Sequence, residues 1–315
     1  MIRNFLVSRR RGALVLAGIY QILQTPFNDG GEIDWESFAR QIEYCMAAGV
    51  HGLVAPALAS EFFTLSDAER RQVVEFAAET IAGRVPFVVG VQGLHQRIAL
   101  EFAEQACAQE ATALMAMPPY LRKASKADLR EYYRALAQFD RPLIIQNAPA
   151  PIGSPLSPRE LVDLLAAEDN ILYIKEETNP ILQHINEILA LDTGNCAGVF
   201  GGANGTYLID ELKRGACGNM PAGGMVDIQV KIYDLFRAGR IDEAERINLN
   251  LLPLLNYATV YGVVLHKHVM WRRGILSSPF ARDPQKINLN ADDISAIESM
   301  WSLVAEEALA DFAFK

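Results

Sequence analysis

The 315-residue chain has no apolar run of about 18 or more residues, so no segment has the length a membrane-crossing helix needs. Cysteine is scarce. Cys45, Cys107, Cys196 and Cys217 stand far apart without a CxxC pair, which excludes a zinc knuckle and a disulfide framework. Reduced thiols in a cytoplasmic protein are the expectation. Basic residues are in the minority, 29 Lys and Arg against 38 Asp and Glu. The net charge of -9 argues against nucleic-acid and anionic-membrane partners. The five histidines are His51, His95, His184, His266 and His268, and none has metal-ligand spacing. No GxGxxG follows the first apolar run, where "TPFNDGGEID" stands instead, so no nucleotide cofactor is expected. No low-complexity segment or linker divides the chain.

Half of the residues are apolar, enough for a large core. The pattern alternates short apolar strands with amphipathic helices. Strands are predicted from Gly18, Gly52, Pro86, Thr112, Pro142, Ile171, Ala197 and Ala216. Most are continuous apolar runs rather than alternating ones, as strands buried on both faces require. Helices open on capping residues such as Asp34 and Ser66 and close on glycine. Eight strand–helix units predict an α/β fold, a (β/α)8 TIM barrel over residues 1–240. Residues 241–315 are expected to form a helical extension packed on the outside of the barrel. Arg9, Arg10 and Arg11 precede an apolar stretch, as in an export signal, but cleavage there would remove part of the first strand.

In a (β/α)8 barrel the chemistry sits where the strands end. Lys175 ends the apolar run "ILYI". Burial disfavours an ammonium, and a neutral amine attacks a ketone to give a Schiff base. A strand-end lysine whose amine reaches water fits the same spacing. Strand alternation puts Glu177 on the face of Lys175 and turns Ile174 and Glu176 to the helices. Glu177 could then serve as an acid/base or simply pair with Lys175. Gln146 shares a face with Ile144 at the end of the fifth strand, and a buried amide there needs a hydrogen-bond partner. "FGGANG", containing Gly202, reads as an anion-binding turn or a plain strand-to-helix turn. Trp271, Arg272 and Arg273 read as a solvated face or an oligomer contact.

Together these positions resemble the dihydrodipicolinate synthase/N-acetylneuraminate lyase family of class I Schiff-base aldolases. The likeness runs over nearly the whole chain: "TPF" from Thr25, "SEFFTLSDAER" from Ser60, "MPPY" from Met117, "QNAP" from Gln146, "IKEET" from Ile174 and "GACGNMPAGG" from Gly215. The resemblance implies that Lys175 forms an imine with a 2-oxo acid and that no other cofactor takes part. It implies substrate contacts at Ala59, Ser60, Tyr120 and Gly202, and a homotetramer built as a dimer of dimers, with Tyr120 near the tight interface.

The departures from the family pattern narrow the expectation. The family's two threonine hydroxyls after the second strand are missing from Ala57-Leu58-Ala59-Ser60-Glu61. Gln146 replaces its relay tyrosine, and Pro151 replaces the arginine that holds a second substrate's carboxylate. The sequence is more similar to the branch of 2-keto-3-deoxy sugar-acid dehydratases, such as L-2-keto-3-deoxyarabonate dehydratase. That resemblance gives proton handling to Gln146 and Glu177. Dehydration is therefore the expected reaction. The alternatives are retro-aldol release of pyruvate, a dihydrodipicolinate synthase-like condensation, and non-catalytic binding of a 2-oxo acid.

Overall fold

The computed structural model describes residues 15–149, 152 and 154–314. Arg9, Arg10, Arg11 and Pro151 lie outside the described residues. Eight parallel strands close a barrel in sequential order. The first half comprises β1 (Gly18–Ile22), α1 (Trp35–Ala47), β2 (Gly52–Ala55), α2 (Asp67–Ile81), β3 (Phe87–Gly90), α3 (Gln96–Ala108), β4 (Ala113–Ala116) and α4 (Lys126–Leu136). The second comprises β5 (Leu143–Asn147), α5 (Pro158–Ala167), β6 (Ile171–Glu176), α6 (Ile181–Leu191), β7 (Gly198–Gly201), α7 (Leu208–Lys213), β8 (Gly218–Asn219) and α8 (Val226–Arg237). All eight expected strands are present, and the fold is a (β/α)8 barrel with a C-terminal helical extension.

Strand alternation sorts the apolar side chains into two layers. Tyr20, Val54, Val88, Met115, Ile144, Tyr173 and Phe200 fill the barrel interior. Ile19, Leu53, Val89, Leu114, Ile145, Ile174 and Val199 join the larger core beneath the helices. A residue's parity along its strand therefore decides which chemistry it can reach. Local signals set the helix starts. The Asp34 side chain accepts from Ser37 N, and Ser66 and Glu69 form a reciprocal capping box at the head of α2. Helix α2 stops on Ala82, itself left-handed at φ 50°, one residue before the expected glycine. At the bottom of the barrel, Gly18 has φ +105° and its missing Cβ leaves room for the His51 ring. His51 Nδ1 accepts from Ile19 N, so this histidine ties strand ends on the face opposite the site.

The extension consists of α9 (Ile241–Tyr261), α10 (Val263–Arg272) and α11 (Ala291–Trp301), with a non-helical stretch from 274 to 290. Its packing corrects two expectations. Helix α10 does more than coat the outside, because it brings Lys267 into the β2–α2 loop. Arg273 is not on a solvated face: it is 1% exposed and pairs with the buried Asp227 at 2.6 Å. The guanidinium also donates to Tyr44 Oη, Gly224 O and Phe312 O, joining α1, α8 and the chain end. A planar five-donor group can satisfy several acceptors at once, which is why it is tolerated in the core. Among the described residues no helix is long and apolar enough to cross a membrane.

Candidate active site

The mouth of the barrel is built from the ends of β5, β6 and β7. Tyr173, Lys175 and Glu177 fall on the inward parity of β6 and its extension. Tyr173 is wedged against Phe200, with ring centroids 5.9 Å apart, and this packing fixes the strand beneath Lys175. Lys175 is 2% exposed, and its Nζ lies 3.0 Å from Glu177 Oε2. Gln146 stands opposite Lys175 in the β5–β6 register and donates from Nε2 to the same Oε2 at 2.7 Å. Oε1 of Glu177 accepts from Ala203 N at 3.4 Å. The carboxylate is thus held from three sides, as a group that must keep one orientation needs to be.

Gln146 Oε1 is buried and has no partner among the described residues. It is an acceptor aimed into a desolvated space, and a hydroxyl-bearing molecule would satisfy it. Gly202 matters for what it lacks. A Cβ there would lie 2.4 Å from Glu177 Oε1, so glycine makes room for the carboxylate.

The other expected contacts have more varied surroundings. Ser60 Oγ accepts from Ala57 N at 3.0 Å and donates to Leu23 O at 2.5 Å, so its hydroxyl is already engaged in tying the β1 and β2 loops together. The Ala59 carbonyl accepts from Gln24 Nε2 at 2.9 Å. Tyr120 packs edge-on against Phe62, at 5.4 Å between centroids, in an apolar cluster with Met117 and Ala148. Burial pushes its phenol above its ordinary pKa. Among the described residues no three His, Cys, Asp or Glu side chains converge as a metal site would require.

Four buried ionisable residues lie around the site. Lys267 of α10 pairs with Glu61 of the β2–α2 loop, both essentially unexposed. Burial brings the Lys267 amine down to about 8, with Glu61 opposing the shift. Glu61 Oε1 also accepts from Asp283 N at 2.8 Å, so a single carboxylate fastens the extension to the loop. Glu176 points away from the barrel, as alternation predicts, and is wholly buried. Glu211 of α7 is buried behind β7, where desolvation pushes its carboxyl up to about 8. Alternation placed Glu176, whereas nothing in the sequence singled out Lys267, inside the apolar stretch "VVLHKHVM", whose partner lies 206 residues away.

Known proteins resemble this chain in sequence and in fold. Residues 15–296 match the model of the dihydrodipicolinate synthetase family. L-2-keto-3-deoxyarabonate dehydratase of Azospirillum brasilense is 30% identical over 272 residues, which is 85% of this chain and 88% of that protein. The 4-hydroxy-tetrahydrodipicolinate synthase of Methanospirillum hungatei JF-1 is 29% identical over 241 residues, or 75% and 82% of the two chains. Dihydrodipicolinate synthase from Rhodopseudomonas palustris superimposes with a TM-score of 0.85 at 24% identity, covering 92% of this chain and 99% of that one. A prophage protein of the same family from E. coli K12, solved with pyruvate, has the same TM-score, identity and coverage. At these identities the structural likenesses speak to the fold.

Proposed function

Because the chain belongs to the dihydrodipicolinate synthetase family, we propose that it is a lyase that holds a 2-oxo acid as an imine on Lys175 and dehydrates a 2-keto-3-deoxy sugar acid. The observation that carries this reading is the contact of Glu177 with both the Lys175 amine and the Gln146 amide. A carboxylate beside an imine-forming lysine is placed to move protons at the carbon next to the imine.

The sequence of steps follows from that placement. Glu177 relieves the Lys175 ammonium of a proton, and the free amine adds to C2 of the 2-oxo acid. Glu177 returns that proton to the carbinolamine hydroxyl, which leaves as water and gives an iminium that acidifies C3. Glu177 takes a C3 proton and the electron pair moves into an enamine. The enamine expels the C4 hydroxyl, which leaves as water with the proton returned by Glu177. Hydrolysis of the unsaturated iminium frees Lys175. Gln146 cannot carry a proton, since an amide does not titrate. Its role is to orient, with Nε2 holding Glu177 and the unpartnered Oε1 accepting from the C4 hydroxyl or from water.

Retro-aldol cleavage or condensation with an aldehyde would use the same lysine, and several relatives are named as synthases. Two features favour elimination. The side chain beside Glu177 is a glutamine rather than a titratable phenol, and elimination needs no site for a second substrate. A screen of 2-keto-3-deoxy acids with product identification separates the reactions. A 3-deoxypentonate should give 2-oxoglutarate semialdehyde, whereas release of pyruvate would overturn the dehydratase reading. The iminium is its own electron sink, so turnover is expected in EDTA without added nicotinamide. Activity lost to EDTA and restored by a divalent ion would contradict this. A homotetramer is the proposed assembly, and a stable monomer in light scattering at micromolar concentration would count against it.

A further inference from the structure

Behind the inward-facing group, the outward parity of the same strand ends carries a second set of polar residues. Asn147 of β5 stands opposite Glu176 of β6 in the strand register. Its Nδ2 donates to both Glu176 oxygens, at 2.8 and 3.1 Å, and to Leu156 O at 3.0 Å, while Oδ1 accepts from Leu156 N at 2.8 Å. The Asn147 carbonyl accepts from Glu177 N at 3.1 Å and from Thr178 Oγ1 at 3.1 Å. Glu176 Oε1 in turn accepts from Thr178 N at 2.7 Å and faces His184 Nδ1 at 3.7 Å. The backbone of Glu177 is therefore gripped on both sides by one asparagine–glutamate pair.

A second pair of the same composition lies across β7. Asn219 of β8 donates from Nδ2 to Glu211 Oε2 at 2.7 Å and to Gly202 O at 3.0 Å. A side chain at Gly201 would collide with the Glu211 carboxyl, and one at Gly202 with that of Glu177. The two carboxyl groups thus flank a single Gly-Gly step. Asn219 and Glu211 fix the step against which Glu177 rests, and Ala203 N, its third support, follows immediately. None of these four side chains faces the barrel interior. All are buried, at a desolvation cost that simple strand pairing does not require.

We propose that Asn147–Glu176 and Asn219–Glu211 are positioning pairs that set the Glu177 carboxylate against Lys175 for proton transfer at C3. This rests on the reading of Lys175 as the imine-forming residue. The pairs act through Glu177 and leave imine formation to Lys175, so the two steps should separate experimentally.

Pyruvate, the smallest 2-oxo acid with C3 protons, serves as probe. Borohydride trapping reads the imine on Lys175, and exchange of the pyruvate methyl protons in D2O, followed by NMR, reads proton transfer at C3. In Asn147→Leu and Asn219→Asp, trapping at saturating pyruvate should stay within about twofold of wild type while exchange falls roughly ten- to a hundredfold, as expected when a supporting residue lets a reacting group drift. Glu211→Gln, which keeps an uncharged hydrogen-bonding side chain, should recover most of the exchange that Glu211→Leu loses. Should either asparagine variant fail to fold, Glu176→Gln and Glu211→Leu supply the same comparison. Wild-type exchange in the folded variants would overturn the proposal, and so would trapping and exchange that decline in proportion. Absence of trapping in the wild-type protein would instead remove the underlying reading, and the proposal with it.

Discussion

Glu177 Oε2 lies 3.0 Å from Lys175 Nζ, two residues along the same inward face at the end of one barrel strand. Lys175 is buried and Glu177 partly exposed at the mouth, and a glutamine amide holds the shared carboxylate oxygen. On the proposed reading, the lysine that holds the substrate and the carboxylate that moves its protons lie within three consecutive residues.

Replacing the carboxylate should separate these roles. Glu177→Gln keeps the shape and the contact with Ala203 N but cannot take a proton. It should still form the imine with a 2-oxo acid while dehydrating about 10²- to 10⁴-fold more slowly, the usual worth of a general base. Single-turnover kinetics would check this, and wild-type turnover in the variant would remove Glu177 from the mechanism.

Gly202 offers an independent probe of where that carboxylate sits. In Gly202→Ala the new Cβ would lie 2.4 Å from Glu177 Cγ, and the carboxylate must move. Turnover is expected to fall roughly tenfold or more, because sub-ångström placement governs proton transfer. The melting temperature should change little, since the Glu177 side chain is partly exposed and can adjust. A crystal structure of the variant with Glu177 unmoved would contradict the account.

Much of this was legible in the sequence, for a definite reason. The apolar runs are continuous because parallel strands are covered on both faces, and their polar terminators mark the mouth. Period-two alternation then places Lys175, Glu177 and Gln146 inside and Glu176 outside, as found. Arg273 could not be read this way. At the end of an amphipathic helix, beside Trp271 and Arg272, its composition resembles a solvated face. Burial follows only from Asp227, 46 residues earlier, and from Tyr44, 229 residues earlier. Long-range ion pairs leave no periodic signature, and Glu61–Lys267, 206 residues apart, escaped notice for the same reason.

The Arg273 cluster makes a prediction about stability. Arg273→Met would leave Asp227 buried with only the Tyr44 hydroxyl and Leu309 N to hold its charge. Breaking a buried pair from one side costs about 3–5 kcal/mol. Denaturant unfolding should show a loss of this size, together with earlier proteolysis near the C-terminus. A loss below about 1 kcal/mol, the range of exposed pairs, would mean that the cluster is solvated.

Glu211 predicts a pH dependence of known sign. Burial raises its carboxyl from 4.5 to about 8, so between these values the folded protein keeps a proton that the unfolded chain releases. Its stabilising contribution is therefore complete below about pH 4.5 and is lost as the pH rises through about 8. The difference in melting temperature between wild type and Glu211→Gln should shift in favour of the variant across that window. A difference that stays flat would show that Glu211 is ionised in the folded protein.

Every proposed step depends on a covalent role for Lys175. Borohydride reduction in the presence of a 2-oxo acid, followed by peptide mass spectrometry, tests it directly. One adduct is expected, on Lys175, with neither adduct nor turnover in a folded Lys175→Ala protein. An adduct elsewhere, or turnover surviving in that variant, would contradict it.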